Sequence, residues 1–508
     1  MKTKKNYLLL LSTTILLFTM LSCQEETNKS ALRYLPADSE LIMSFNLNAL
    51  KNKADISQLK ETPIEKEFND FVSKAGAELF ETITQLGENS NATGIDLKSD
   101  AFISLTYGEN QEFLITFAAL IDNPSVLNST MEKLRKESAV EITGTEDEIT
   151  YFFISEELQG AYNSDCILLL AGKKGLVNNP RSYLNFLITN PESSSLAANS
   201  KIAETFRNKD DVKTWLASSI LLHVQPDINK DVMGFYANNI LSSSFLTNFE
   251  NGKIVTKIYL EQSEEYKKQF SQDTKPTNKY SKYLPEKSWM VLAGKSTYTD
   301  EIIEQQKLII NNQLSATGID GTIITDLLES AKGEVIFSLS NSGSTIPDVA
   351  LIIELKDESG FDKIITKTKS FLPEIKEIDS RSYSYSTPLT PDIHLFYMDN
   401  AIMIMTKNLF ERCNNGNSLK TPSYWSFFTN SGMFFDFQEF KEGDLFKTIF
   451  GISGGDSNKV IKELDNISAL RIIKINSEES RITLELVDKS ENSLKWITGY
   501  IRLFFENN

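Results

Sequence analysis

Tyr34-Leu35-Pro36-Ala37-Asp38-Ser39 runs into the apolar stretch Leu41, Ile42, Met43, Ser44, Phe45, and a near copy returns at Tyr283-Leu284-Pro285-Glu286-Lys287-Ser288, followed by Trp289, Met290, Val291 and Leu292. A strand opening that recurs in mid-chain predicts a chain built as two copies of one domain. The copies stay in order beyond the opening. Phe102-Ile103-Ser104-Leu105-Thr106 matches Ile336-Phe337-Ser338-Leu339-Ser340, and Leu120-Ile121-Asp122 matches Leu355-Lys356-Asp357. Ser164 to Leu169 matches Met398 to Met403, Ile220 to Gln225 matches Met433 to Gln438, and Ile254 to Leu260 matches Ile482 to Asp488. Chance similarity between strands would not keep this order. A further echo, ATGID at Ala92 to Asp96 and again at Ala316 to Asp320, fits the register less well.

Within the first copy, Leu41 to Leu47 reads as a strand, and Ile64 to Leu86 carries Phe68, Phe71, Val72, Ala75, Leu79, Phe80 and Ile83 at helical spacing. Ala101 to Thr106 and Phe113 to Ile121 read as a hairpin around Gly108-Glu109-Asn110, and Val126 to Lys136 as a helix. Val140 to Ile142, Ile149 to Ile154 and Asp165 to Ala171 continue the strands. Leu176 to Trp215 reads as helical around a Ser-rich loop at Glu192 to Ser200, and Ile220 to Val224 and Lys253 to Leu260 as closing strands. Groups of short strands alternating with helices predict an α+β fold: two tandem related domains, each a mostly antiparallel sheet packed with helices. The boundaries are a signal peptide at 1–22, a tether at 23–33, a first repeat at 34–261, a polar linker at 262–282, and a second repeat at 283–508 closed by an amphipathic C-terminal helix from Ser493 to Phe505.

The N-terminal segment is a targeting signal. Lys2, Lys4 and Lys5 precede an apolar core from Tyr7 to Leu21 that is short for a membrane span, and Ser22 stands before Cys23. Met20-Leu21-Ser22-Cys23 resembles the lipobox of bacterial lipoproteins, which implies acylation at Cys23 and a chain tethered to a membrane. Gln24-Glu25-Glu26 resembles the short acidic export signal of surface-exposed lipoproteins of Bacteroidota, which implies the outer membrane and an outward orientation. Together with Tyr34 to Ser39 and Gly94-Ile95-Asp96-Leu97, the lipobox makes the chain similar to a family of uncharacterised Bacteroidota lipoproteins of about 500 residues built on a domain of unknown function. That resemblance implies location and architecture, and no mechanism.

Composition excludes some classes. The 508 residues are 41% hydrophobic and 24% charged, an ordinary globular balance. The net charge is −17. Removing the three signal-peptide lysines leaves 49 basic against 69 acidic residues, or −20, a field that repels nucleic acid. After lipidation only Cys166 and Cys413 remain, and spacing does not establish a disulfide between them.

The search for chemistry returns little. There are only two histidines; His223 between Leu222 and Val224 reads as a core residue, and His394 between Ile393 and Leu395 has no Ser or Cys motif to partner it. Zinc spacing, nucleophile elbows, phosphate loops and dinucleotide fingerprints are missing, so no catalytic, cofactor or metal residue is assigned. Gly451 to Asp456 reads as a loop and helix cap. The acidic pairs Glu25-Glu26, Glu156-Glu157 and Asp210-Asp211 read as solvated faces. Ser382-Tyr383-Ser384-Tyr385-Ser386 reads as a half-buried strand rather than a stacking platform. The expected function is a non-catalytic binding or scaffolding protein of the envelope, with an envelope protein as partner. The alternatives are a glycan- or peptide-binding component of an uptake system, or a hydrolase with dispersed carboxylates.

Overall fold

The structure is a computed structural model that describes residues 30–54, 93–107, 112–136, 138–172, 177, 179–220, 238–270, 275–295, 303–304, 307, 321–387, 390–414, 420–451 and 465–506. The signal peptide, Cys23, the Ile64 to Leu86 stretch, His223, the second ATGID and nearly all of the Gly451 to Asp456 loop lie outside the described residues. The chain divides into two compact units, one made of residues 1–260 and 489–508, the other of residues 261–488.

The first unit holds β1 (Leu41–Phe45), β2 (Ala101–Tyr107), β3 (Phe113–Leu120), β4 (Glu141–Glu146), β5 (Ile149–Ser155), β6 (Leu158–Tyr162), β7 (Cys166–Gly172), β8 (Val212–Ala217), β9 (Ile240–Glu250) and β10, which starts at Lys253. Its helices are α1 (Leu47–Lys53), α2 (Pro124–Lys136), α3 (Pro180–Thr189) and α4 (Ser200–Arg207). Strand β1 pairs antiparallel with β2 on one side and β8 on the other, and β3, β7, β6, β5 and β4 follow in turn beyond β2. On the other flank β8 pairs with β9, and β9 with β10.

Both faces of this sheet are covered. Cys166, Leu168 and Leu170 of β7 join a core with Leu184, Leu187 and Ile202 from α3 and α4, while Ile167 and Ala171 join another with Leu47, Leu127 and Met131 from α1 and α2. Alternate residues of a strand point to opposite faces. That explains why Cys166 to Ala171 shows no polar alternation: each face has its own helices.

The second unit holds β11 (Met290–Lys295), β12 (Ala331–Ser340), β13 (Asp348–Leu355), β14 (Lys376–Asp379), β15 (Ser382–Thr387), β16 (Thr390–Met398), β17 (Ala401–Thr406), β18 (Gly432–Asp436), β19 (Ile467–Lys474) and β20 (Glu479–Leu486). Here β11 pairs with β12 and β18, and the order runs from β12 through β13, β17, β16 and β15 to β14, and from β18 through β19 to β20. Every strand has a counterpart at the same place in the first unit. The α+β class and the antiparallel pairing are as the sequence leads one to expect.

The register tests the sequence matches individually. Leu41 faces Leu105 and Met290 faces Leu339, so Ser104 and Ser338 are equivalent, as the sequence match has them. Across the next two strands the match is one residue out. Ala118 and Ile352 face Phe102 and Ile336, and in turn face Leu168 and Met403, which makes Leu168 equivalent to Met403 and Cys166 to Ala401. The hairpin itself is the same in both units, since Tyr162 faces Ile167 as Tyr397 faces Ile402, which puts Ser164 and Asp165 where Asp399 and Asn400 stand; the slip arises earlier, because Ala118 to Ala161 is one residue shorter than Ile352 to Phe396. A one-residue slip exchanges the faces of a strand, so packing rather than residue likeness decides it.

Other readings need correction. Val212 to Ala217 is strand β8 and not helix; β-branched Val212 and Thr214 sit between β1 and β9, with ladder partners on both sides. It is this strand, not Ile220 to Gln225, that corresponds to Gly432–Asp436, since Ile42 faces Trp215 as Val291 faces Phe434. Within the span read as a linker at 262–282, residues 275–282 are folded onto the second unit. Tyr280 is 0% exposed in its core, and the Thr277 amide and hydroxyl donate to Glu334 at 3.0 and 2.7 Å. The C-terminal stretch is helical (Ser493–Glu506) but belongs to the first unit and not to the second. Asn492 donates to the Phe249 carbonyl at 3.0 Å, the Gly252 amide donates to the Glu491 carbonyl at 2.7 Å, and Leu494 packs on the core that contains Leu47.

Gly94 shows what the Gly94 to Leu97 motif does. At φ +76° its carbonyl accepts from the Asp122 and Asn123 amides, and a Cβ there would lie 2.3 Å from the Asn123 carbonyl oxygen. Asp96 then caps the turn through the Lys98 amide and the Ser99 hydroxyl. Replacing Gly94 by Ala is expected to destabilise the first unit by about 3 kcal/mol, from positive-φ strain and overpacking. Tyr280→Ala is expected to cost the second unit about 3 kcal/mol as a cavity. Both are read as shifts of the urea midpoint, and an unchanged midpoint for Tyr280→Ala would restore the linker reading.

Candidate functional site

The recurring motif builds a corner in each unit. In the first, the Ser30 hydroxyl accepts from the Leu32 amide and starts a 3-10 turn at Ala31–Tyr34; Ser39 donates to the Pro36 carbonyl at 2.7 Å, and the Glu40 amide reaches Leu105 at 2.9 Å. In the second, Ser281–Tyr283 forms the turn and the Trp289 amide reaches Leu339 at 3.0 Å. A cation lies over the tyrosine in both, Arg33 on Tyr34 at 4.8 Å and Lys282 on Tyr283 at 4.7 Å. Tyr283 donates to Asp399 at 2.5 Å, and Lys282 donates to the same carboxylate at 2.9 Å, which holds Asp399 below the usual carboxylate range.

A cavity of about 580 Å³ opens beside this corner in the first unit. Arg33 and Tyr34 come from the 3-10 turn, Lys98 and Asp100 from the approach to β2, Glu192 from the turn after α3, and Phe206 and Arg207 from the end of α4; Leu32 and Leu120 add apolar wall. Asp100 is committed to Lys213, which is 2% exposed and also donates to the Asn208 carbonyl at 2.9 Å. Burial raises the Tyr34 phenol, and the neighbouring Cys166 thiol is pushed up to about 12 by burial and by Asp165. That thiol stays protonated and is no nucleophile at neutral pH.

The second unit has its own cavity of about 420 Å³, bordered by Lys287, Tyr424, Phe427, Asp436, Arg471 and Glu485 among others. Several of its polar groups are already engaged. Lys287 pairs with Glu439 at 2.6 Å and Arg471 with Glu485 at 3.1 Å, Asp436 caps the helix Phe437–Glu442, and the Tyr424 hydroxyl donates to the Pro285 carbonyl at 2.7 Å. No two of these acids stand free to act as a catalytic pair.

The residues weighed from sequence fall elsewhere. His394 sits in β16 facing Met405 and Ser384, 8% exposed, its ring stacked on Phe410 at 4.2 Å. Burial lowers its pKa, with Asp392 opposing. Tyr383 is buried against Phe361, so the Ser382 to Ser386 strand offers no open platform there. Glu156 and Glu157 are exposed as expected. Asp210 and Asp211 are not: Asp211 is 2% exposed, takes Lys53 at 2.6 Å and accepts the Phe249 amide at 2.7 Å, while Asp210 accepts from Asn248. The lysines that neutralise this pair lie on other elements, which is why adjacency alone misled. Cys166 and Cys413 are free thiols. Among the described residues no group of three or more His, Cys, Asp or Glu is placed to hold a metal, and no helix is long and apolar enough to cross a membrane.

A sequence profile for a domain of unknown function, DUF4836, matches residues 33–494. The chain belongs to that family. The match spans both units and starts at Arg33, beside the cavity. No curated protein matches. Among solved structures, three crystal forms of TP0453 are similar at 10% identity: form IV (TM-score 0.28) and form I (0.26), each over 46% of this chain and 80% of that one, and form III (0.29) over 56% and 88%. A likeness at that level transfers neither fold nor function to this member of the family.

The lowered pKa of His394 fixes a pH dependence. The fold favours the neutral ring, so this stabilisation is complete above the unfolded value of about 6.5 and is lost as pH falls through the lower folded value. The urea midpoint is expected to fall on acidification from about 6.5 down to the lower folded value, and His394→Leu to flatten that part of the profile; an unchanged profile in the variant refutes the assignment.

Proposed function

We propose that this protein is a lipid-anchored, non-catalytic binding or scaffolding protein of the outer membrane of a Bacteroidota-type envelope, in which two copies of one α+β domain are tethered through Cys23. The observation that carries the reading is Met20-Leu21-Ser22-Cys23 behind a basic and apolar leader. Acyl chains on one cysteine would anchor the chain durably, at roughly 0.8 kcal/mol for each buried methylene. Gln24-Glu25-Glu26 supports an outward-facing position. The shared strand order and the equivalence of Ser104 with Ser338 support duplication of one domain.

Binding is favoured over catalysis by how the ionisable groups are spent. Half-buried Asp100 and buried Asp211 and Glu334 are held by lysines or by amide and hydroxyl donors, and both thiols are raised. A second reading, a component that receives imported glycan or peptide, draws on the aromatic border of Tyr424, Phe427 and Phe434 around the second unit's cavity.

The test is acylation and exposure in cells. Wild-type protein is expected to incorporate an alkyne-tagged fatty acid, to sediment with outer membranes and to be cut by protease added to intact cells. Cys23→Ala is expected to lose the label and leave the membrane fraction. Label retained in the variant overturns the anchor, and protection from protease overturns the outward orientation.

A further inference from the structure

Arg33, Lys98 and Arg207 converge on the first unit's cavity from three separate elements, and none has an ion-pair partner among the described residues. Asp100 is neutralised by Lys213, so the three cations outnumber Glu192 and Asp165 at the border. This is a local cationic excess in a chain of net charge −17. The Arg33 Nε is sealed from solvent with no acceptor, a donor whose desolvation is uncompensated. Leu32, Leu120 and Phe206 supply an apolar wall on the same cavity.

The second unit serves as an internal comparison. Register places Glu334 where the first unit has Asp100 and Glu354 where it has Leu120, and the motif places Tyr280 where it has Ala31. Tyr280 is wholly buried there, and its neighbouring cations have acids of their own: Lys282 pairs with Asp399, and Lys279 lies 3.8 Å from Glu354. The scaffold therefore folds with this corner filled and its cations matched. The open, unmatched version is particular to the first unit.

We infer that this cavity binds a small organic carboxylate with an apolar body, the carboxylate held by Arg33 and Arg207 and the body packed on Leu32, Leu120 and Phe206. Guanidinium groups present paired donors that suit the two oxygens of a carboxylate. The inference deepens the binding reading above and is independent of the anchor.

Full-length protein in discs of zwitterionic lipid is titrated calorimetrically with benzoate, benzylamine and inorganic phosphate. Benzoate is expected to bind at about 1 mM or tighter, benzylamine not to bind, and phosphate to bind about tenfold more weakly for want of the apolar contact. Arg33→Gln and the more exposed Arg207→Gln are each expected to weaken benzoate about tenfold, the scale of one charged hydrogen bond. Lys287→Gln in the second unit is expected to leave binding unchanged. The inference is overturned if benzoate does not bind, if benzylamine binds as well, if phosphate binds as tightly as benzoate, or if a folded Arg207→Gln binds benzoate like wild type. None of these failures touches acylation at Cys23, which has its own readout.

Discussion

Each unit depends on one strand being hydrogen-bonded along both edges. β1 lies between β2 and β8, and β11 between β12 and β18. Ile42 and Val291 at their centres are fully buried. The 3-10 turn and Pro-containing corner before each strand aim it, because the backbone amide after the corner makes the first bond to β2 or β12. Every other strand counts its register outward from there, so an error at the corner would propagate through the sheet.

Polar groups follow the same scaffold with different occupants. Buried Ser338 in the second unit shares its hydroxyl with Ser288, which also meets Tyr424, whereas buried Ser104 at the equivalent place has no partner. A carboxylate is kept at the equivalent position in both units, just before β2 and within β12, but Lys213 holds Asp100 whereas Thr277 holds Glu334, whose carboxyl burial pushes upward. Burying a charge is tolerable only with such partners. The first unit keeps a cavity at this corner, and the second fills it with Tyr280. The two units thus share one strand order, with different side chains at this corner.

Much of this was legible in the chain. The recurrence of Tyr34 to Ser39 located both central strands, and the Phe102 and Ile336 matches gave their neighbours in the correct register. The helical period of Val126 to Lys136 placed a helix that spans Pro124–Lys136. The sequence reading misses strand β8 because it extends a helical pattern from Leu176 to Trp215 across the break at Asn208 to Asp211. The cavity was illegible because its cations are isolated in sequence at 33, 98 and 207, with no motif joining them.

The sequence by itself determined the acidic balance, the α+β class and the recurrence of the opening motif, since each is written in local composition or in order along the chain. Tertiary structure alone decided the one-residue slip at β7 and β17, the return of the C-terminal helix to the first unit, the burial of Asp210 and Asp211, and the burial of Tyr280 in a stretch that reads as linker. All four turn on which distant groups cover a face or neutralise a charge. Burial and pairing are properties of neighbours in space, and sequence spacing does not encode them.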